Sequence, residues 1–298
     1  MWFLATRPAF LTVTAVGVIV GWASASYDGF ALRPLAALAT LGLALLTHAA
    51  VNVINDWADA LSGTDDANFE RIYPFTGGSR FIQNGILSRA QALGFAIALF
   101  SAVALGGLAL VLWSGPTLLW IGAIGLVLGW GYSAPPLALN SRGLGELCVV
   151  AGFALVAIGA DCVQRGSIAA TPVWGATSYS LLVANLLYVN QFPDRSADRA
   201  AGKLHWVARL PVHTARWGYV VLLASSGIVL VAGASSGPLP DRVVWTAPAY
   251  VLGAFAALRV LKHAASPARL APAIVLTIAT ALLQGMLLAL ALWTTGSE

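Results

Sequence analysis

The sequence predicts an all-α, polytopic membrane protein, a bundle of nine transmembrane helices. Three observations predict it. Apolar residues fill 59% of the 298 positions and charged residues only 9%, at a mean hydropathy of +0.81, whereas a soluble domain carries about 25% charged residues. Nine apolar segments have spanning length, and the basic residues sort to one side of them. A single membrane domain over residues 1–298 is expected.

The segments lie at roughly 9–26, 35–58, 90–113, 117–134, 144–161, 172–192, 214–233, 243–263 and 270–294. Each is close to the roughly 20 residues a helix needs to cross a bilayer. The first follows Met-Trp-Phe-Leu-Ala-Thr-Arg7-Pro8, which lacks the basic stretch and cleavage site of a secretory signal, so it should stay in the mature protein. The second runs from about Leu35 into a polar end at Asn52 and Asp56. Ser114-Gly-Pro116 divides the third from the fourth, the least marked boundary, and Ser236-Gly-Pro-Leu-Pro240 divides the seventh from the eighth. Cys148 and Cys162 sit in apolar context without metal-ligand spacing, so they read as core residues and imply no disulfide.

With the N-terminus inside, an odd number of spans puts the C-terminus outside. Thirteen basic residues then fall on the cytoplasmic side, leaving only Arg33, Arg165 and Arg242 across the membrane. That asymmetry is a strong positive-inside signal. The basic residues form no continuous face, which argues against a nucleic-acid partner. Eight of the twelve acids gather on the cytoplasmic side too, leaving Asp28, Asp161, Asp241 and Glu298 for the other. Acids beside bases suit a site that holds a cation and a polyanion.

Two motifs carry that site. In Asn52-Val-Ile-Asn55-Asp56-Trp-Ala-Asp59, the residues Asn52, Asp56 and Asp59 fall at i, i+4 and i+7, one face of a helix that breaks at Gly63, with Asp65 and Asp66 in the loop beyond. The sixth segment ends with Asn190, Asp194 and Asp198 at i, i+4 and i+8, although Pro193 could kink or restart that helix. The likeness between the motifs suggests a faint internal repeat. Carboxylates at a membrane edge are costly unless paired, hydrated or coordinating. Either motif alone could be an acid paired with an Arg; both together suit a diphosphate held through Mg²⁺, a hard cation that takes oxygen ligands. Neither motif contains Cys or His, which argues against zinc or iron. His48, at i−4 to Asn52, reads first as a hydrogen-bonded core residue and second as a ligand or base. Trp57, Trp130, Trp206 and Trp217 read as interfacial residues.

Both motifs resemble the aspartate-rich motifs of the UbiA-type membrane prenyltransferases, and other stretches match in the family's order. These are Arg7-Pro8, the run Pro74 to Gly85 containing Gly77-Gly78-Ser79-Arg80, and Tyr132-Ser-Ala-Pro-Pro136 through Arg142-Gly143-Leu-Gly145-Glu146. The resemblance implies a nine-helix bundle with a cytoplasmic-side active-site cavity, and transfer of a prenyl chain from its diphosphate to an acceptor. It implies one Mg²⁺ on Asn55, Asp56 and Asp59 and a second on Asn190, Asp194 and Asp198. Arg71, Arg142 and Lys203, with Asn52 and Tyr132, would contact the diphosphate. Asp65, Asp66 and Arg142 would serve the chemistry, the two acids by orienting or deprotonating the acceptor. The Gly-x-Asp spacing, the Gly-Gly-Ser run and the Arg-Gly-Leu-Gly-Glu loop look most like the 1,4-dihydroxy-2-naphthoate polyprenyltransferase branch of menaquinone synthesis. The chain departs from many relatives with Gly63 in place of an Asp, Asn140-Ser141 where a Lys often precedes Arg142, and His205 after Lys203. The expected partners are a polyprenyl diphosphate, an aromatic acceptor and the lipid bilayer. Rival readings are another acceptor (hydroxybenzoate, homogentisate, a lipid or a tetrapyrrole), a UbiA-like terpene cyclase, and a secondary transporter with midplane carboxylates.

Overall fold

The computed structural model describes residues 1–66 and 68–296, so Glu298 lies outside the described residues. Within them the apolar segments fold as nine helices of seventeen residues or more: α1 (Leu11–Tyr27), α2 (Pro34–Ser62), α3 (Arg89–Ser114), α4 (Thr117–Ser133), α5 (Gly145–Arg165), α6 (Ala170–Ala200), α7 (Val212–Ser235), α8 (Ala247–His263) and α9 (Ala271–Gly296). No strand occurs among the described residues.

Seven of these helices, two of them counted with a lead-in turn, are long and apolar enough to cross a bilayer by themselves. The expected nine is therefore met by seven on length and composition alone. The other two fall short for different reasons. Helix α4 is apolar but only 17 residues long, and α6 is long but carries Thr171, Thr177, Ser178, Ser180 and Asn185 through its apolar run.

Local chemistry sets the ends. Pro34 opens α2, where a missing N–H costs nothing, and Gly63 closes it in the left-handed region at φ 74°. Ser88 and Gln91 form a reciprocal capping box at the start of α3. Helix α6 passes through Pro193 to Ala200, so Asn190, Asp194 and Asp198 do share one continuous helix.

The helices form two runs of four, α2–α5 and α6–α9, joined where α5 packs extensively along α6, and α1 packs against both. Each group thus begins with the helix that carries one acidic motif. At the end of the bundle away from those motifs, Arg165 Nε donates to Asp161 at 2.7 Å, its Nη2 donates to Asp28 at 2.5 Å, and Thr171 Oγ1 donates to Asp28 at 2.9 Å. The acids and bases that the sequence assigns to the far side therefore tie α1, α5 and α6 together. Trp206 and Trp217 are about half exposed, whereas Trp57 and Trp130 pack on Val53, Ile54, Ala96 and Ala134.

Candidate active site

The two acidic helix ends face one polar cavity of about 200 Å³. From α2, buried Asn52 and Asp59 line it, and buried Asp56 lies beside them under Arg7 and Ser79 without lining it; from α6 come Asn190, half-buried Asp194 and buried Asp198. Helical periodicity alone explains why these residues converge, since each set occupies one face.

The loop from Gly63 to Ser88 lies across both clusters. Ser79 donates from its hydroxyl and its amide to Asp56, and Asn68 Nδ2 donates to Asp194 at 2.6 Å. Ser196 Oγ on α6 donates to Glu70 at 3.2 Å, and Arg80 Nη1 donates to the Asp65 carbonyl at 2.9 Å. Gly78 is required here twice over. Its φ is 69°, and a Cβ would stand 2.5 Å from Asp65 Oδ2 and 3.1 Å from Asp56 Oδ1.

Two internal cations meet the carboxylates. Arg7 pairs with Asp56 and donates to Asn55 Oδ1 at 3.3 Å. Its backbone sits in the left-handed region at φ 52°, which a non-glycine residue adopts only where the surroundings enforce it. Lys203, three residues past α6, donates to both oxygens of Asp59 at 3.0 and 3.2 Å and lies 3.7 Å from Asp198. Burial works against the lysine charge, but the Asp59 and Asp198 carboxylates outweigh it and raise its pKa. His205 completes the bridge. Its Nδ1 accepts from the Ala208 amide at 3.2 Å, so its ring proton is on Nε2, which donates to Asp198 at 2.9 Å. Asp65 is buried, and burial followed by repulsion from Asp59 pushes its pKa up to about 7.

The remaining expected residues divide. Asn52, Tyr132, Asn55, Asp65 and Lys203 all line the polar cavity. Arg142 does not: it is exposed and donates to the Pro136 carbonyl at 2.7 Å, because the turn after α4 carries it outward. Arg71 lies over the exposed Tyr73 ring at 5.9 Å, its stem against Gly77, and lines neither cavity. Asp66 is exposed, turned away from Asp65 by the bend after Gly63. Arg7, Asn68, Ser79 and His205 were not among the expected site residues. Arg7 could have been suspected from its place just ahead of the first apolar segment, whereas nothing in the spacing of Asn68 marks it.

Only oxygen donors among these residues suit a metal, and three of them, Asp65 Oδ2, Asn68 Oδ1 and Asn190 Oδ1, are buried with no hydrogen-bond partner among the described residues. Orphaned oxygens beside carboxylates fit a hard divalent cation. No three Asp, Glu, His or Cys side chains close into a cage among the described residues. Mg²⁺ does not require such a cage, since it takes one or two carboxylates and leaves its other positions to phosphate and water.

Beyond the polar cavity lies a second, apolar one of about 480 Å³, enclosed mainly by α2, α3, α4 and α5. It reaches from Asn52 and Tyr132 to Thr40, Leu118 and Val163, near the far end of the bundle. A charged head site opening into a long apolar chamber is the shape of a lipid diphosphate.

The model of the UbiA prenyltransferase family matches residues 12–276. The chain belongs to that family. It is 29% identical over 236 residues to a 1,4-dihydroxy-2-naphthoate octaprenyltransferase of Escherichia coli, covering 77% of this chain and 74% of that protein. It is 29% identical over 229 residues to the enzyme of the same name from Mycobacterium tuberculosis, covering 76% of each. Among solved structures, a UbiA homologue from Aeropyrum pernix superposes with a TM-score of 0.66 at 18% identity over 92% of this chain and 96% of that one. A UbiA homologue from Archaeoglobus fulgidus bound to GPP and Mg²⁺ gives 0.61 at 13% identity over 97% and 99%. These likenesses show that this family member has the UbiA fold in a membrane.

Proposed function

We propose that this UbiA-family member transfers a polyprenyl chain from its diphosphate to 1,4-dihydroxy-2-naphthoate, in Mg²⁺-dependent quinone synthesis. The observation that carries the reading is the junction of the two cavities, with both aspartate clusters on the polar side and a chain-length apolar chamber on the other. The naphthoate acceptor is supported by the relatives named above and by the Gly-Gly-Ser and Arg-Gly-Leu-Gly-Glu stretches.

Two Mg²⁺ ions are assigned, one to Asn55, Asp56 and Asp59 and one to Asn190, Asp194 and Asp198. When bound, they supply Lewis-acid neutralisation of the charge that builds on the leaving diphosphate. Lys203 and Arg7 then turn from the carboxylates to the diphosphate oxygens and stabilise the same charge. Asn52 and Tyr132 fix the end of the diphosphate nearest the prenyl carbon. Val149 and Phe153 keep water from the allylic cation. As the carbon–oxygen bond to the diphosphate breaks, a ring carbon of the acceptor forms the new carbon–carbon bond and then gives up its proton, and the ring exchanges its carboxyl group, lost as carbon dioxide, for a proton. Asp65 orients the acceptor from the polar side. Residues 1–298 act as one membrane domain with the N-terminus and the site on the cytoplasmic side and the C-terminus opposite, supported by the distribution of basic residues.

The test is product analysis by mass spectrometry on the detergent-solubilised protein, given a series of polyprenyl diphosphates with dihydroxynaphthoate, hydroxybenzoate or no acceptor. A prenylated naphthoquinol formed only with Mg²⁺ is expected. A cyclic hydrocarbon formed without acceptor, or transfer to hydroxybenzoate alone, would refute the reading.

A further inference from the structure

Six side chains line both cavities and form a collar between them: His48, Val51 and Asn52 from α2, Tyr132 from α4, and Val149 and Phe153 from α5. Three of them bring polar atoms to the collar. Asn52 gives one amide hydrogen to the Thr6 carbonyl at 2.9 Å, and its other donor and the Tyr132 hydroxyl are the groups assigned to the diphosphate above. Farther along the apolar chamber, Thr40 and Thr47 donate back into their own helix, to Ala36 and Leu43. His48 differs from all of these. Its Nδ1 meets Thr14 Oγ1 on α1 at 2.6 Å, and its ring stands edge-on to Phe153 at 5.5 Å and 88°. Both contacts fix the imidazole plane. They leave Nε2 without a partner among the described residues, on a ring that lines both chambers.

A histidine that only filled the core would have both nitrogens satisfied or one in a dry void. Here the free nitrogen faces ligand space. A prenyl chain offers it no hydrogen bond, and the diphosphate is drawn to the other side by Lys203, Arg7 and the aspartate clusters. The remaining reactant is the aromatic acceptor. Its attacking carbon has to come within about 3–3.5 Å of the prenyl carbon that loses the diphosphate, and that carbon sits where the polar and apolar chambers meet. The acceptor ring and its hydroxyls therefore lie at the collar.

We propose that His48 holds the acceptor: Nδ1–H donates to Thr14 Oγ1, and Nε2 accepts a hydrogen bond from a ring hydroxyl of the aromatic substrate. The inference rests on the prenyl-transfer reading above and adds to it the residue that orients the ring. No bond is made or broken at His48. Its contribution is to hold the ring with one carbon facing the reacting centre, with Phe153 and Val149 covering the ring's apolar surface.

The experiment is equilibrium binding of 1,4-dihydroxy-2-naphthoate to the full-length, detergent-solubilised protein, with Mg²⁺ and an unreactive thio analogue of farnesyl diphosphate bound. His48→Phe keeps the ring and its edge contact and removes both nitrogens. His48→Gln keeps a polar atom near the position of Nε2. The phenylalanine variant should bind the naphthoate at least about tenfold more weakly, and the glutamine variant within about threefold of the wild type. The thio analogue should bind all three proteins with affinities within about twofold of one another. Unchanged naphthoate affinity in His48→Phe would overturn the inference, as would an equal loss for naphthoate and thio analogue, the sign of a merely structural role. A wild type that binds the thio analogue but no naphthoate would overturn the acceptor reading and this inference with it.

Discussion

The two helix groups begin alike and end differently inside. Helices α2 and α6 each finish in an Asn-Asp-Asp face, yet α2–α5 surround a chamber of about 480 Å³ while α6–α9 are filled. In the first group Gly107, Gly122, Gly125 and Gly152 line the chamber, and a Cβ built on any of them would meet nothing within 4 Å. These glycines are not needed for close helix packing; they leave room. In the second group Tyr179, Leu182, Phe192, Tyr219, Ile274, Leu288 and Leu292 are fully or almost fully buried. A polar net links its helices: Ser226 donates to the Ser178 carbonyl at 2.8 Å, the Ser226 and Tyr250 hydroxyls meet at 2.8 Å, and Gln284 donates to Ser178 at 3.3 Å. Both groups thus supply one end of the charged site, and only one supplies space for a substrate. The solid group serves as the frame that holds Asp194, Asp198 and Lys203 against the hollow one.

Several substitutions and treatments would break or sharpen that contrast. The largest effect is expected from removing the metal: chelation should lower diphosphate release by at least about a thousandfold, with recovery on adding Mg²⁺. Chelator-resistant turnover would detach the aspartate clusters from the chemistry. In the filled group, Leu288→Ala should cost about 2–5 kcal/mol of stability, read by thermal unfolding in detergent, without changing which prenyl lengths are used. A shift in donor length would show that the frame also shapes the chamber. In the hollow group, Gly122→Leu should lower kcat/KM for long donors relative to geranyl diphosphate by about 10- to 200-fold, with little loss of stability. An unchanged length profile would mean that the chain runs elsewhere. Ser226→Ala should have the smallest effect, a stability loss of about 0.6 kcal/mol, the usual worth of a hydrogen bond between membrane helices.

Much of the fold and of the acidic site was legible in the sequence, for identifiable reasons. Each of the nine apolar segments lies on a helix among the described residues, although only seven of those are long and apolar enough to cross a bilayer by themselves. The doubtful third and fourth segments separate at Gly115-Pro116 as α3 and α4. Helix ends were underestimated where they turn polar. Helix α2 runs on to Ser62 and α6 to Ala200, because charged ends look like loops to a hydropathy scale and Pro193 removes only one backbone donor. The acidic faces followed from the helical period. Of the cations, Lys203 was expected and lies in the cavity, but the others were misplaced or missed because they lie in turns without a period. Arg71 and Arg142 were expected at the site and lie outside it, while Arg7 reaches Asp56 from the segment ahead of α1. The same limit applies to the interior. Glycine that opens a chamber and glycine that permits close packing look identical in a sequence, so the hollow and filled groups could be told apart only once their helices were placed.

The central claim is that the two aspartate clusters, one from each group, act on a single diphosphate. A double-mutant cycle tests it most directly: diphosphate release by Asp56→Ala, Asp194→Ala and the double variant, each first shown to be folded by its thermal unfolding. Residues that work as a unit are strongly non-additive. Each single substitution should lower the rate by at least about a hundredfold, and the double variant should be little worse than either. Near wild-type activity in one single variant, or losses that multiply in the double, would contradict the account.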